Sequence, residues 1–260
     1  MSLVLVHGFT GAPSSWDGVA GALGQQSSRP MRLLCPAIAG HEGAHTSGSE
    51  ASLPSLPATF EQEVDRIART LPRGTLHLVG YSLGARLALG LLVRHRVRFE
   101  TATLIGVHPG LQAAAERAAR TAADDALADQ LERDGIEAFV AAWEALPMWA
   151  SQRALSPARL AAQRAQRLAH DPVRLAHALR TLSLGRMPSW AYALPQLDLP
   201  ITLVVGSADT AFRERAAALS GVLPAARLVV IGDERRPIGH NVPLEAPEDL
   251  ARVLLETVDV

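Results

Sequence analysis

Leu76-His77-Leu78-Val79-Gly80-Tyr81-Ser82-Leu83-Gly84-Ala85-Arg86 is the stretch on which the architecture turns. Residues 75–79 form a short, mostly apolar run that predicts a buried strand, and residues 82–95 carry helical spacing. Gly80-Tyr81-Ser82-Leu83-Gly84 therefore falls on the turn between a strand and a helix. The pattern G-x-S-x-G arises by chance in a chain rich in Gly and Ser; the strand before it and the helix after it give it weight. A serine on so tight a turn is thrust into a cleft. Flanking glycines avoid clashes there, and the helix N-terminus favours negative charge nearby.

Working outward, strands and helices alternate. Residues 3–6 read as a strand buried on both faces, and Ser14 or Ser15 can cap a helix running to about Gln25. A strand over 31–35 leads into a long irregular loop containing Gly40, Gly43, Ser47, Gly48, Ser49 and Pro54. A helix over 59–71, the strand and helix around Ser82, and a strand over 101–106 follow. From Pro109 to about Leu184 the rhythm breaks into helical periodicity at 112–133, 136–145, 156–170 and 172–184. It resumes with strands at 201–205 and 227–231 and helices at 212–223 and 247–258. Such alternation calls for an α/β fold, a mostly parallel sheet flanked by helices. The all-helical stretch predicts an inserted cap over the C-terminal sheet edge, where open parallel sheets bind ligands. The expected division is a core of residues 1–108 and 186–260 with a cap of residues 109–185.

Three further signals accompany Ser82. His7-Gly8-Phe9 follows the first strand, so the N–H groups of Phe9 and Leu83 are candidates for an oxyanion hole. Asp209, just past the strand at 201–205, can orient a histidine; Asp233 is the runner-up. Gly239-His240 follows the last strand and offers a base that works near neutral pH. The chain order Ser82, Asp209, His240 is the one expected for the α/β-hydrolase fold. His7, His41 and His108 are candidates to line the cleft.

Composition limits the partners. The formal net charge of −1 over 260 residues supplies no field for nucleic acid or an anionic membrane. All 25 basic side chains are Arg, whose planar fork suits carboxylates. The single cysteine, Cys35, excludes an internal disulfide and suits a small core residue. No apolar run reaches the length of a membrane span, and the start at 3–6 runs into His7-Gly8 without a signal-peptide pattern. A cytoplasmic enzyme is expected. No metal-ligand spacing and no dinucleotide fingerprint is present, so neither metal nor cofactor is expected.

The motifs also carry a closer likeness. Gly80-Tyr81-Ser82-Leu83-Gly84-Ala85-Arg86, His108-Pro109-Gly110-Leu111-Gln112 leading to Glu116-Arg117 and Arg120, and Gly135-Ile136-Glu137-Ala138-Phe139 with Trp143 stand together. With Pro147-Met148-Trp149-Ala150-Ser151, the Arg164/Arg167 segment and Gly185-Arg186-Met187-Pro188-Ser189-Trp190, the chain resembles the 2-succinyl-6-hydroxy-2,4-cyclohexadiene-1-carboxylate synthases of menaquinone biosynthesis. The resemblance spans nearly the whole chain, cap included. It implies a carbon–oxygen lyase that eliminates pyruvate from an enolpyruvyl- and succinyl-bearing cyclohexene carboxylate, with the triad as base. It implies that Tyr81, Arg86, Arg120, Trp143 and Arg167 contact a small carboxylate substrate, with Arg164 as the alternative to Arg167. Arg86 also stands at i+4 from Ser82, on the same helix face. The residues by themselves leave open a serine esterase, thioesterase or C–C hydrolase working through an acyl-Ser82.

Overall fold

A computed structural model of the chain describes residues 1–42 and 56–258. The expected loop positions Gly43, Ser47, Gly48, Ser49 and Pro54 lie outside the described residues. Six strands form one sheet: β1 Ser2–Val6, β2 Arg32–Leu34, β3 Leu76–Tyr81, β4 Phe99–Ile105, β5 Ile201–Gly206 and β6 Ala226–Ile231. Their order is β2-β1-β3-β4-β5-β6 and every neighbouring pair is parallel. This is the architecture expected from the alternation.

The core follows from the two-residue period of the strands. Val4, Val6, Leu78, Leu104 and Leu203 pack on one face, against α2 Phe60–Thr70 and α3 Leu83–His95. Their alternates Leu3, Leu5, Val79, Ile105 and Val204 pack on the other, against α1 Asp17–Gln26 and a C-terminal helix, Pro247–Val258. The four inner strands are buried on both faces, which is why β1 reads as an unbroken hydrophobic run over residues 3–6 and β3 and β5 are interrupted only by His77 and Thr202. The edge strands β2 and β6 expose part of their length.

Between β4 and β5 lie α4 Ala114–Glu144, a 3-10 stretch Pro147–Ala154, α5 Pro157–Leu168 and α6 Pro172–Thr181. They hold an apolar cluster of their own, in which Leu131, Phe139 and Val140 of α4 meet Leu175 and Leu179 of α6. The separate helices expected at 112–133 and 136–145 are one element broken at Gly135, whose φ of 81° only glycine adopts readily. Ser15 does not cap α1; its Oγ accepts the Ala12 N–H within a short 3-10 turn, and α1 starts at Asp17. β3 runs two residues past the expected end because Gly80 and Tyr81 pair with Leu104 and Ile105. After β5 come α7 Thr210–Ser220 and, after β6, the short α8 Val242–Glu245 before α9 Pro247–Val258.

Candidate active site

The loops after β1, β3, β5 and β6 leave the same edge of a parallel sheet, so Phe9, Ser82, Asp209 and His240 converge there. Ser82 has φ 54° and ψ −110°, a strained backbone for a residue with a side chain. The strain is held from both sides. The Ser82 N–H donates to Ile105 O at 2.8 Å, and its carbonyl accepts from Arg86 N–H at 3.1 Å. A Cβ on Gly80 would stand 2.5 Å from Gly84 O, and one on Gly84 only 2.0 Å from Val6 O. The turn is therefore too tight for any residue but glycine at either position.

His240 Nε2 lies 3.0 Å from Ser82 Oγ, and its Nδ1 lies 2.6 Å from Asp209 Oδ2. The alternative acid, Asp233, points elsewhere: its carboxylate accepts the N–H groups of Arg235 and Arg236. The imidazole is buried in an aromatic surround, with ring centroids of Phe212 at 4.6 Å, Tyr81 at 5.5 Å and Trp149 at 6.0 Å. Among the described residues no loop or turn hydrogen bond uses the N–H of Phe9 or of Leu83.

Ser82 and His240 open into a cavity of about 230 Å³. Tyr81, Arg86, Arg120 and Trp143 line it, so four of the five expected substrate contacts come together. Arg86 donates to Leu182 O at 3.0 Å; burial and the Arg120 charge push it down to about 10, leaving it a cation at neutral pH. Arg120 is fixed through Nε, 2.9 Å from both Asp124 oxygens, and Ser183 Oγ donates to that carboxylate at 2.7 Å. Among the described residues neither Arg120 Nη group has an acceptor, so both are left for another. The buried Trp143 Nε1–H has no acceptor among the described residues. Burial holds the Tyr81 hydroxyl well above its ordinary range, so it stays protonated.

Arg167 departs from the expectation. It lines two neighbouring cavities and not the one that holds Ser82. Its guanidinium lies 5.4 Å over the Trp149 ring and donates to Glu144 at 3.2 Å. Trp149 borders both the triad cavity and the neighbouring space of about 350 Å³, and it occupies the way between Arg167 and His240. The alternative, Arg164, also pairs with Glu144, on the outside of the helices. Of the three cleft histidines, His108 lines the triad cavity, His7 lines the neighbouring one, and His41 is packed behind Phe9. Cys35 is half-buried, and burial pushes its thiol up to about 11, unlike a reactive thiolate.

Sequence reasoning missed several contributors. Glu245 is buried beside His240, where it accepts Gly239 N–H at 2.8 Å and Asn241 N–H at 3.2 Å. Its signal is a carboxylate five residues after His240 in a single helical turn, too common a pattern to single out. Trp149 and Phe212 were legible only as hydrophobic residues, because packing on an imidazole has no sequence signature. Among the described residues no cluster of His, Cys, Asp and Glu is placed to hold a metal ion. No described helix is long and apolar enough to cross a membrane.

Comparison with known proteins settles the family. The alpha/beta hydrolase family matches residues 3–253. The 2-succinyl-6-hydroxy-2,4-cyclohexadiene-1-carboxylate synthase of Salmonella agona is 31% identical over 97% of this chain and 93% of its own. The chain belongs to the alpha/beta hydrolases, in the family of these synthases. A synthase of the same name from Klebsiella pneumoniae is 30% identical over 85% of this chain and 82% of its own. The structure of MenH from S. aureus superposes on this alpha/beta hydrolase with a TM-score of 0.88 at 25% identity, covering 100% of this chain and 93% of that one. A thermophilic esterase from Thermogutta terrifontis shares the fold at a TM-score of 0.77 and 22% identity, over 100% and 89% of the two chains.

Proposed function

We propose that this alpha/beta hydrolase is a 2-succinyl-6-hydroxy-2,4-cyclohexadiene-1-carboxylate synthase that eliminates pyruvate from an enolpyruvyl cyclohexene carboxylate in menaquinone biosynthesis. The observation that carries the reading is a small cavity where Ser82 Oγ, 3.0 Å from His240 Nε2, faces two cationic side chains, Arg86 and Arg120. A neutral ester needs no such pair; a substrate with several carboxylates does.

In this reading His240 accepts the Ser82 proton, and the Ser82 oxygen removes a ring proton beside the succinyl carbonyl. The electron pair moves to that carbonyl oxygen. It then returns into the ring as the carbon–oxygen bond to the enolpyruvyl group breaks, and the enolate that leaves takes the proton held by His240 and becomes pyruvate. The N–H groups of Phe9 and Leu83 serve as the oxyanion hole; each such donor is worth on the order of 3 kcal/mol in the transition state. Asp209 keeps the proton of neutral His240 on Nδ1, so that Nε2 is free to accept. Arg86 and Arg120 hold substrate carboxylates, with Tyr81 and Trp143 against the remainder. Residues 109–185 act as the cap that supplies Arg120 and Trp143. The half-buried free thiol of Cys35 fits a cytoplasmic setting.

A pyruvate-release assay on purified protein with the enolpyruvyl intermediate tests this. Release abolished by Ser82→Ala is the expected result. Cleavage of simple esters through an acyl-Ser82 with no pyruvate released from that intermediate overturns it.

A further inference from the structure

The helix after β5 places one more cation near the triad cavity. α7 starts directly after Asp209 and carries Phe212 and Arg215, spaced i,i+3 and so on one helix face. Phe212 borders the cavity with its ring 4.6 Å from that of His240, and the Arg215 guanidinium lies 4.8 Å from the Phe212 ring centroid. Arg215 is half-buried and stands behind Phe212 rather than in the cavity lining; among the described residues no hydrogen bond or ion pair holds its guanidinium, and the Asp209 carboxylate is the one opposite charge that acts on it. By contrast Arg120 has Asp124 and Arg167 has Glu144.

His108 lines the same cavity. Its Nδ1 accepts the Gly110 N–H at 3.1 Å, so the neutral ring carries its proton on Nε2, for which no described residue provides an acceptor. Burial, then the positive charges of Arg215, Arg86 and Arg120 in that order, hold His108 down at about 4 and keep it neutral. Cations gathered around one small cavity with too few counter-charges repel each other, and an incoming anion relieves that repulsion.

We propose that Arg215, with the Nε2–H of His108, forms a third anion subsite beside the triad cavity and determines specificity for a substrate with more carboxylates than Arg86 and Arg120 hold. The identity of that substrate rests on the proposed function; the anion subsite itself does not. An enolpyruvyl cyclohexene carboxylate with a succinyl group carries three carboxylates, one for each of the three arginines.

Two measurements on the whole chain test it. The first is quenching of tryptophan fluorescence by tricarballylate, with its trimethyl ester as the uncharged control. Arg215→Gln weakens tricarballylate about tenfold and Arg215→Lys by less, as expected for one charge-assisted contact, while the ester binds all three proteins alike. Equal affinity of wild type and Arg215→Gln overturns the subsite, and so does failure of the wild type to bind tricarballylate. The second is the pyruvate-release assay, in which Arg215→Gln raises KM about tenfold and leaves kcat within about twofold. A fall in kcat with KM unmoved overturns a binding role. Absence of pyruvate release from the wild type counts against the proposed function alone, because tricarballylate binding reads the subsite independently of turnover.

Discussion

Asp209 Oδ2 lies 2.6 Å from Nδ1 of His240, joining the loops that follow β5 and β6. The bond fixes both the rotation and the tautomer of the imidazole. Asp209→Asn keeps the shape but lets the side-chain amide donate to Nδ1, which moves the ring proton to Nε2 and leaves it facing Ser82. Pyruvate release falls about 10³–10⁴-fold, with the circular dichroism spectrum of the folded chain retained. A loss under tenfold refutes the role given to Asp209.

Gly84 lies where the Ser82 turn passes over β1. Because an added Cβ would stand 2.0 Å from the Val6 carbonyl, with backbone rather than a flexible side chain in the way, Gly84→Ala costs about 3 kcal/mol. Gly21, inside α1, has nothing within 4 Å of the same added atom. Gly21→Ala gains about 0.5–1 kcal/mol from helix propensity. Thermal unfolding of the two variants therefore shifts in opposite directions, and a shift in the same direction contradicts the packing described.

The loop that carries Phe9 rests on buried histidines. His7 Nδ1 donates to Gly8 O at 2.9 Å and its Nε2 accepts the Ile38 N–H at 3.2 Å, so both nitrogens are used by the neutral ring. Burial lowers His7 from 6.5 to about 4, and lowers His41 and His170 as well. Between these values the unfolded chain binds the proton and the folded chain does not. The stabilisation is thus full above pH 6.5 and is lost as pH falls through about 4, at roughly 1.4 kcal/mol per pH unit for each proton. Urea unfolding at pH 7, 6 and 5 gives steadily lower stability, and His7→Gln flattens the slope; an unchanged slope in the variant excludes His7 as its source.

Glu245 acts on His240 through the backbone. Its two oxygens accept the N–H groups on either side of the base, from Gly239 and Asn241, while burial pushes the carboxyl up. Glu245→Gln turns an NH₂ toward one of those N–H groups and frees the loop. Pyruvate release drops about tenfold through kcat, with KM held, and stability falls by about 1–3 kcal/mol. Glu245→Asp, which keeps the charge, recovers part of kcat. A change confined to stability assigns Glu245 a structural role only.

The sheet and the triad were legible because each has a local signature. An inner strand is buried on both faces and so is mostly apolar, as 76–79 and 201–205 are, and the tight turn at Ser82 demands glycines at fixed offsets. The order Ser82, Asp209, His240 follows from which strands end at one sheet edge. Rotamers have no such signature. Whether Arg167 faces the triad or turns to Glu144 depends on how Trp149 packs, and whether Arg215 meets a counter-charge depends on residues far away in the chain. The break at Gly135 was legible as a stop signal. That the helix resumes in place was not, since it depends on Phe139 and Val140 packing against α6.

Arg86 and Arg167 allow a direct test of that difference. Arg86 lines the triad cavity and holds its place by one bond to Leu182 O, leaving donors free for a carboxylate. Arg167 spends a donor on Glu144, stacks on Trp149 and faces the neighbouring spaces. To reach a substrate beside Ser82 it must leave both partners and pass the indole. Arg86→Ala accordingly raises KM about 30-fold, the equivalent of ~2 kcal/mol of charge-assisted bonding, whereas Arg167→Ala raises it less than about threefold. If both variants raise KM equally, Arg167 changes partner when substrate binds. Glu144→Gln, which weakens the hold on Arg167, then lowers KM below the wild-type value, and a KM at or above wild type in that variant rules out the exchange.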